Sequence, residues 1–236
     1  MLITSKRYTG YTLAEILITL SIVGVVAALT IPALIKNFEE MQNRIAWKKA
    51  FSMISQASLA IYADHGGDLS ELWDARGEWS SNEIRTEYGK HLGYIRICNN
   101  NIEHTEANCF PEHQYMNPGR GTRGCCSIGS GYFSAAVLKN GMAINIGDPG
   151  SCAGGEPYFT ALSGHSGSCI TMHVDTNGMK GPNVYGKDAF VIRIDATGRV
   201  YPAGIGMSDT FLASSTDWGC NPKGRGYFCA LLYLKE

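Results

Sequence analysis

The sequence predicts an α+β fold in which the second half of one long N-terminal α-helix packs on a C-terminal antiparallel β-sheet. Three observations support this prediction. An almost unbroken apolar stretch covers residues 11–35 of the 236-residue chain. Apolar residues then recur at helical spacing as far as Ile61, and beyond residue 131 short β-type runs are separated by turn residues. A long helix and a sheet of this kind form two packed layers.

The N-terminal apolar stretch is long enough to cross a membrane. As an α-helix, its 25 residues extend about 37 Å, whereas the hydrocarbon core of a bilayer is roughly 30 Å thick. A leader, residues 1–10, precedes the stretch, carries Lys6 and Arg7 and ends at Gly10. In an ordinary secretory signal the apolar region precedes the cleavage site and is removed. Cleavage at Gly10 would instead keep the apolar stretch, so we expect the mature protein to use it.

The single acid in this stretch, Glu15, is the first candidate functional residue. A carboxylate within a membrane segment is costly and usually has a functional partner. Cleavage after Gly10 would create an α-amino group on Tyr11, and we expect a neighbouring subunit, displaced along the helix axis, to present that amine to Glu15. The alternative is an ordinary membrane anchor that tolerates an acid at the interface, but such an anchor gains nothing from the glycine junction.

Together these features resemble the N-terminus of the type IV pilins and type II secretion pseudopilins. Counted from Tyr11, Glu15 is the fifth residue and Pro32 the twenty-second, and both offsets match that family's pattern. The resemblance implies cleavage between Gly10 and Tyr11 by a membrane-embedded prepilin peptidase, which would also methylate the new N-terminus at Tyr11. The family usually has phenylalanine at that position. The specific resemblance covers about 35 residues.

The helix is predicted to continue past Pro32 rather than to end there. Proline bends or breaks a helix, but apolar residues resume at spacings mostly of three or four from Phe38 to Ile61. We therefore expect a kink at Pro32 and a helix end at Gly66-Gly67. The predicted segments are the leader at 1–10, a transmembrane or filament-core half-helix at 11–35, an amphipathic half-helix at 36–66, and a globular pilin-like head with disulfides at 67–236.

Beyond the long helix the sequence predicts a short helix and an antiparallel sheet. Asn140-Gly141 and Ala196-Thr197-Gly198 provide two hairpin turns. The expected segments are a helix around 82–92 and strands at 132–138, 142–146, 169–175, 190–195 and 199–202.

Eight cysteines lie beyond the long helix, in the part predicted to be outside the cytoplasm, and an even number there is typical of disulfides. The pairs expected from local loops are Cys98–Cys109, Cys152–Cys169 and Cys220–Cys229. Cys125 and Cys126 are adjacent and are expected to pair with each other or with separate partners. A zinc site at Cys109, flanked by His104 and His113, is the alternative, although the sequence has no C-x-x-C motif.

Oxygen-bearing side chains group around a tight turn, at Asp175, Asn177 and Asp188. Calcium prefers such ligands, and some pseudopilins hold calcium in their β-region, so a calcium site is one hypothesis. The segment is not an EF-hand, because Met179 stands where a ligand belongs. The alternative is a hairpin turn, which Asn177-Gly178 explains by itself. No other cofactor is expected.

No motif predicts an enzyme. Residues 181–187 have the spacing of a phosphate-binding loop, but Asp188 replaces the Ser or Thr that would bind magnesium. Residues 164–168 approach a nucleophile elbow, but Ser168 occupies the final glycine position. The formal net charge is −1 and no basic run occurs, so nucleic acid is not an expected partner.

The resemblance therefore predicts a structural subunit of a type IV pilus or a type II secretion pseudopilus, polymerised through its N-terminal helix. Expected partners are the prepilin peptidase, inner-membrane assembly machinery, membrane lipid before assembly, and copies of itself or related pilins in a filament. The expected location is the inner (cytoplasmic) membrane, as a single-pass protein with its head outside the cytoplasm, and then a periplasmic or surface filament. The alternative is a membrane-tethered, adhesin-like binding protein that does not polymerise.

Overall fold

The computed structural model of the protein describes residues 10–70, 72, 80–98, 109–123, 133–147, 150–151 and 168–236. The chain divides into two compact units, Met1–Gln42 and Asn43–Glu236. The helices are α1 (Leu13–Asp64), α2 (Ser80–Leu92), α3 (Asp209–Ser214) and α4 (Cys229–Lys235). The strands are β1 (Tyr94–Cys98), β2 (His113–Gln114), β3 (Thr122–Arg123), β4 (Ser134–Leu138), β5 (Ala143–Ile146), β6 (Gly150–Ser151), β7 (Ser168–Asp175), β8 (Ala189–Asp195) and β9 (Val200–Pro202).

Helix α1 continues through Pro32, as predicted, and ends where the glycine pair follows it. Gly66 and Gly67 have φ values of 69° and 91°, which glycine adopts without steric cost. The N–H of Gly67 donates to the carbonyl of Tyr62 at 2.9 Å, and the N–H of Gly66 donates to the carbonyl of Ala63 at 3.1 Å. These bonds satisfy carbonyl groups that the end of a helix leaves without partners.

The head contains an antiparallel sheet with the strand order β1-β4-β5-β7-β8-β9, and β6 pairs with β7. Strands β2 and β3 form a separate antiparallel pair. Both predicted hairpins are present as β4–β5 and β8–β9, and their turns contain Gly141 and Gly198 at φ values of 86° and 74°. The α+β fold class is therefore confirmed, while β1, β2, β3, β6, α3 and α4 are additional to the predicted elements.

One face of the sheet and the α1 residues of the second unit share a hydrophobic core. The Trp47 ring stacks on Phe190 of β8, with the ring centroids 4.3 Å apart and the planes 16° apart. The Trp47 indole N–H donates to the carbonyl of Ala230 in α4 at 2.8 Å. Buried strand residues of this core include Leu138, Ile144, Ile170, Met172, Ile192 and Ile194. Alternate residues of a strand point to the same face, so Ile170 and Met172 of β7 and Ile192 and Ile194 of β8 lie on the face that packs against α1.

Several strand residues are both polar and buried, namely Asn145, His173, Asp175, Arg193 and Asp195. The register places Asn145 opposite His173 and places Asp175 opposite Ala143 and Ala189. Buried polar groups need hydrogen-bond partners, and the partners of Asp175 link this layer to the candidate calcium turn described below.

Candidate functional site

At the beginning of α1, Glu15 is held by Thr12. The Oε2 atom of Glu15 accepts hydrogen bonds from the backbone N–H and from the hydroxyl of Thr12, each at 2.9 Å. The N–H of Glu15 donates to Thr12 Oγ1 at 3.2 Å. This reciprocal arrangement is a capping box, which satisfies N–H groups that the first turn of a helix leaves free. Thr12 was not among the predicted site residues, although the Thr-x-x-Glu spacing of a capping box is present in the sequence.

Gly10 and Tyr11 lie immediately before α1. The Tyr11 residue is 84% exposed, and a Cβ atom added to Gly10 would meet no atom within 4 Å. Within the described part of the chain, nothing therefore obstructs the peptide bond between these two residues.

The first part of α1 exposes its apolar side chains. Between positions 13 and 35, the exposed large apolar residues have 44% to 81% of their surface accessible to solvent. Among the described residues, α1 is the one helix that is long and apolar enough to cross a membrane. An apolar surface of this extent requires lipid or other helices around it.

The polar side chains of this stretch form hydrogen bonds within the helix itself. The hydroxyls of Thr19, Ser21 and Thr30 donate to backbone carbonyls three or four residues earlier, at 2.7–3.0 Å. Lipid provides no hydrogen-bond partners, so polar groups in a membrane span must be satisfied internally. These three hydroxyls meet that requirement.

Two of the predicted disulfides are present in the head. Cys98 is bonded to Cys109 and Cys220 to Cys229, with Cα–Cα distances of 6.2 Å and 4.8 Å. Cys169 is also disulfide-bonded, whereas Cys125, Cys126 and Cys152 lie outside the described residues. A sulfur atom in a disulfide is not a thiolate, so Cys109 is not available as the zinc ligand of the alternative hypothesis. His104, which that hypothesis also used, lies outside the described residues.

The structure brings together the three residues predicted as calcium ligands. Hydrogen-bond donors contact the carboxylate oxygens of Asp175 and Asp188, whereas the buried amide oxygen of Asn177 has no hydrogen-bond partner among the described residues. Asp188 Oδ1 accepts from the N–H of Val184 at 2.7 Å, and Asp188 Oδ2 accepts from the N–H of Asn183 at 2.8 Å and from the Asn177 amide at 3.2 Å. Asp175 Oδ1 accepts from the N–H of Asn177 at 3.0 Å. These hydrogen bonds tie the side chains of Asp175 and Asp188 to the backbone of the turn.

Calcium takes six to eight oxygen ligands, and the described structure brings together the oxygens of Asp175, Asn177 and Asp188 at this turn. The described ranges also contain no group of three or more His, Cys, Asp or Glu side chains that could hold a metal ion. The carboxylates stabilise the turn between β7 and β8, as the hairpin-turn alternative expects, and the calcium site stays a prediction.

A buried histidine–aspartate pair lies beside this turn. His113 Nε2 is 2.8 Å from Asp175 Oδ2, and both side chains are fully buried. Burial raises the pKa of Asp175 to about 6, against the opposing effect of the hydrogen bond to His113. The hydrogen bond of this pair connects β2 to the end of β7, and the two residues are 62 positions apart in the sequence.

A comparison with known families finds one match, at the N-terminal part of the chain. The prokaryotic N-terminal methylation motif matches residues 5–31, a range that contains Gly10, Tyr11, Thr12 and Glu15. No curated protein and no solved structure gives a significant match to the chain. The chain therefore carries, at residues 5–31, the prepilin-type signature of the type IV pilins and pseudopilins.

Proposed function

We propose that the chain is a structural subunit of a type IV pilus or of a type II secretion pseudopilus. A prepilin peptidase cleaves it between Gly10 and Tyr11 and methylates the new N-terminus, and the mature protein polymerises through α1. The observation that carries the proposal is the match of the methylation motif across an exposed Gly10–Tyr11 junction that directly precedes an apolar helix.

The arrangement of Glu15 supports a specific assembly contact. Thr12 occupies Oε2, whereas no described residue donates a hydrogen bond to Oε1 of this exposed carboxylate. Cleavage creates a positively charged amine at Tyr11, which the uncleaved chain lacks. A neighbouring subunit, shifted along the helix axis, then brings its Tyr11 amine to the open side of Glu15. Opposite charges attract more strongly in the low dielectric of a membrane or filament core than in water.

Packing between α1 helices provides the second part of the assembly contact. Gly24 and Ala28 are four residues apart and therefore lie on one face of the helix. A Cβ atom at Gly24 would meet no atom within 4 Å, so this face is open to a neighbour. Small residues at this spacing let helix backbones approach closely in lipid. The exposed leucine, isoleucine and valine side chains on the remaining surface contact lipid before assembly and other subunits afterwards.

The disulfides support the proposed location of the head outside the cytoplasm. Structural disulfides persist in oxidising compartments and are rare in the cytoplasm. The disulfides at Cys98–Cys109 and Cys220–Cys229 therefore support a topology in which the head lies outside the cytoplasm and α1 spans the inner membrane once. In this location the protein meets the peptidase and the inner-membrane assembly machinery, and the filament extends into the periplasm or from the cell surface.

The proposal is tested by determining the N-terminus of the protein in membrane and sheared-filament fractions by mass spectrometry. We expect the filament fraction to contain a chain that begins at methylated Tyr11. A chain that is cut at Gly10 but enters only short periplasmic assemblies, detected by cross-linking, supports the pseudopilus form of the proposal. A chain that keeps residues 1–10 and remains in the membrane contradicts the proposal and supports a simple anchor.

A further inference from the structure

Helix α4 runs along the part of α1 with which the second unit begins. The indole N–H of Trp47 donates to the carbonyl of Ala230, near the start of α4, at 2.8 Å. The guanidinium of Arg44 lies 4.3 Å from the ring centroid of Tyr233 and forms an ion pair with Glu236, which directly follows α4. The C-terminal end of α4 therefore points toward the N-terminal end of the second unit.

Helix α3 lies beside α4 and exposes an aromatic side chain. Asp209, the first residue of α3, forms an ion pair with Lys235, the last residue of α4, and the ring centroids of Phe211 and Phe228 are 5.9 Å apart. Phe211 is nevertheless 49% exposed, and it is the one exposed aromatic residue that the structure describes in the second unit. We call α3 and α4 together the C-terminal helix pair.

A short piece of chain joins the C-terminal helix pair to the apolar stretch of α1. Ile35 ends that stretch, and Arg44, which contacts α4, follows nine positions later. Even a fully extended chain of nine residues covers at most about 32 Å, whatever its course. Leu59 is similarly exposed, at 53%, but it follows Arg44 by fifteen positions, which is about 22 Å farther along the helix. Of these two exposed side chains, Phe211 is the one whose surroundings are tied close to the apolar stretch.

The side chains of the C-terminal helix pair suit the boundary between lipid head groups and acyl chains. Apolar side chains enter the acyl layer there, while lysine and arginine keep their charged ends among the head groups. Phe211 provides the apolar contact, and the partly exposed side chains of Lys235 and Arg44 provide the long cationic ones. Both cations are already paired with carboxylates, so neither meets the boundary without a partner.

We propose that, before assembly, the C-terminal helix pair rests on the outer surface of the membrane that α1 spans, with Phe211 inserted at the boundary between head groups and acyl chains. This inference rests on the proposed function, which places the apolar stretch of α1 in the membrane. The contact holds the head at the surface from which the subunit is extracted. Extraction into a filament then requires Phe211 to leave the lipid together with α1.

The proposal is tested with the full-length protein in vesicles of phosphatidylethanolamine and phosphatidylglycerol, with or without bromine atoms near the head-group end of the acyl chains. Bromine quenches tryptophan fluorescence only at short range. Phe211→Trp and Leu59→Trp are compared after the fluorescence of the wild-type tryptophans has been subtracted. An interfacial side chain lies about 5–10 Å deep, so brominated lipid should reduce the added fluorescence of Phe211→Trp about twofold and leave that of Leu59→Trp unchanged.

A second variant covers the case in which Phe211→Trp folds poorly. Ser214 is exposed and lies three positions after Phe211, on the same face of α3, so Ser214→Trp should be quenched as well. Flotation of the vesicles separates two failures. If the chain does not float with the vesicles, the proposed membrane anchoring fails, and this inference with it. If the chain floats but the α3 variants are quenched no more than Leu59→Trp, the lipid contact of the helix pair alone is overturned.

Discussion

Thr12 and Glu15 form reciprocal hydrogen bonds. The N–H and the hydroxyl of Thr12 both donate to Glu15 Oε2 at 2.9 Å, and the N–H of Glu15 donates to Thr12 Oγ1 at 3.2 Å. The acid that the proposed assembly contact requires is thus also the residue that caps its own helix. This double use explains how a carboxylate in an otherwise apolar stretch is satisfied in a single subunit. One of its oxygens is held in place by Thr12, while the described residues leave the other open.

Thr12→Val should loosen the first turn of α1. The change keeps the shape of the side chain but removes the hydroxyl that donates to Glu15 and accepts from its N–H. Loss of an N-cap typically costs about 1 kcal/mol, so the amides of the first turn should exchange about fivefold faster in detergent micelles. Thr19→Val is the matched control, because the Thr19 hydroxyl donates only to backbone carbonyls. Equal exchange in the two variants would contradict the capping function of Thr12.

Gly198→Ala should destabilise the head more than Gly141→Ala. Both glycines have positive φ values, 74° and 86°, so an alanine at either position meets a similar backbone penalty of roughly 1–2 kcal/mol. At Gly198 the new Cβ would also lie 2.9 Å from the carbonyl oxygen of Ser58 in α1, whereas at Gly141 it meets nothing within 4 Å.

The two glycine variants are compared by their free energies of unfolding in denaturant. The clash at Gly198 should add about 1–3 kcal/mol, as overpacking usually does. If Gly141→Ala is as destabilising as Gly198→Ala, the close contact between the β8–β9 turn and α1 does not contribute to the difference in the free energy of unfolding.

Asp175→Asn should flatten the pH dependence of stability between about pH 4 and pH 6. The pKa of Asp175 is raised by burial to about 6 in the folded protein, so the folded state holds this proton more tightly than the unfolded state does. The contribution of Asp175 is therefore most favourable at low pH and is lost as pH rises toward 6. Melting temperatures of the two proteins, measured across this range, check the prediction. An unchanged slope in Asp175→Asn would show that other groups cause it.

Replacing Cys220 and Cys229 together by alanine should lower the free energy of unfolding by about 2–3 kcal/mol, since the cross-link restricts the unfolded chain. The same change at Cys98 and Cys109 is the matched comparison, because the sequence separations are similar, 9 and 11. Cys98 and Cys109 are buried too, but in a small separate cluster. The C-terminal pair should cost more, because Cys229 packs in the large core that also holds Trp47 and Phe190. Thermal unfolding in detergent measures both, and a larger loss from the Cys98–Cys109 pair would contradict this ranking.

Local patterns predicted much of the fold because the signals that form those elements are themselves local. The turn at Asn140-Gly141 determines which strands meet, and Gly66-Gly67 stops α1 after a long run of helical spacing. Strand β1 escaped prediction because its five residues gain their partners from β4, about 40 residues later. The helix α4 is only seven residues long, too short for periodicity to distinguish it from a strand.

In the candidate site, too, some residues could be predicted from local sequence spacing, and others depend on how distant segments fold together. The positions of Gly10, Tyr11 and Glu15 follow from offsets within a few residues, and Thr12 was equally available from the capping-box spacing. The partners of Asp188 depend on how the chain folds back at residues 177–184, which composition alone does not specify. The pairing of His113 with Asp175 depends on the position of β2 relative to β7, which local sequence does not specify either.

The central claim is that Glu15 drives incorporation of the subunit into a filament. The most direct test compares wild type, Glu15→Ala and Glu39→Ala in sheared-filament and membrane fractions of cells that make equal amounts of each. Glu39 is an exposed acid of the same helix and controls for loss of charge. We predict that wild type and Glu39→Ala enter filaments, while Glu15→Ala is cleaved at Gly10 but remains in the membrane. Filament incorporation of Glu15→Ala at the wild-type level would contradict the account.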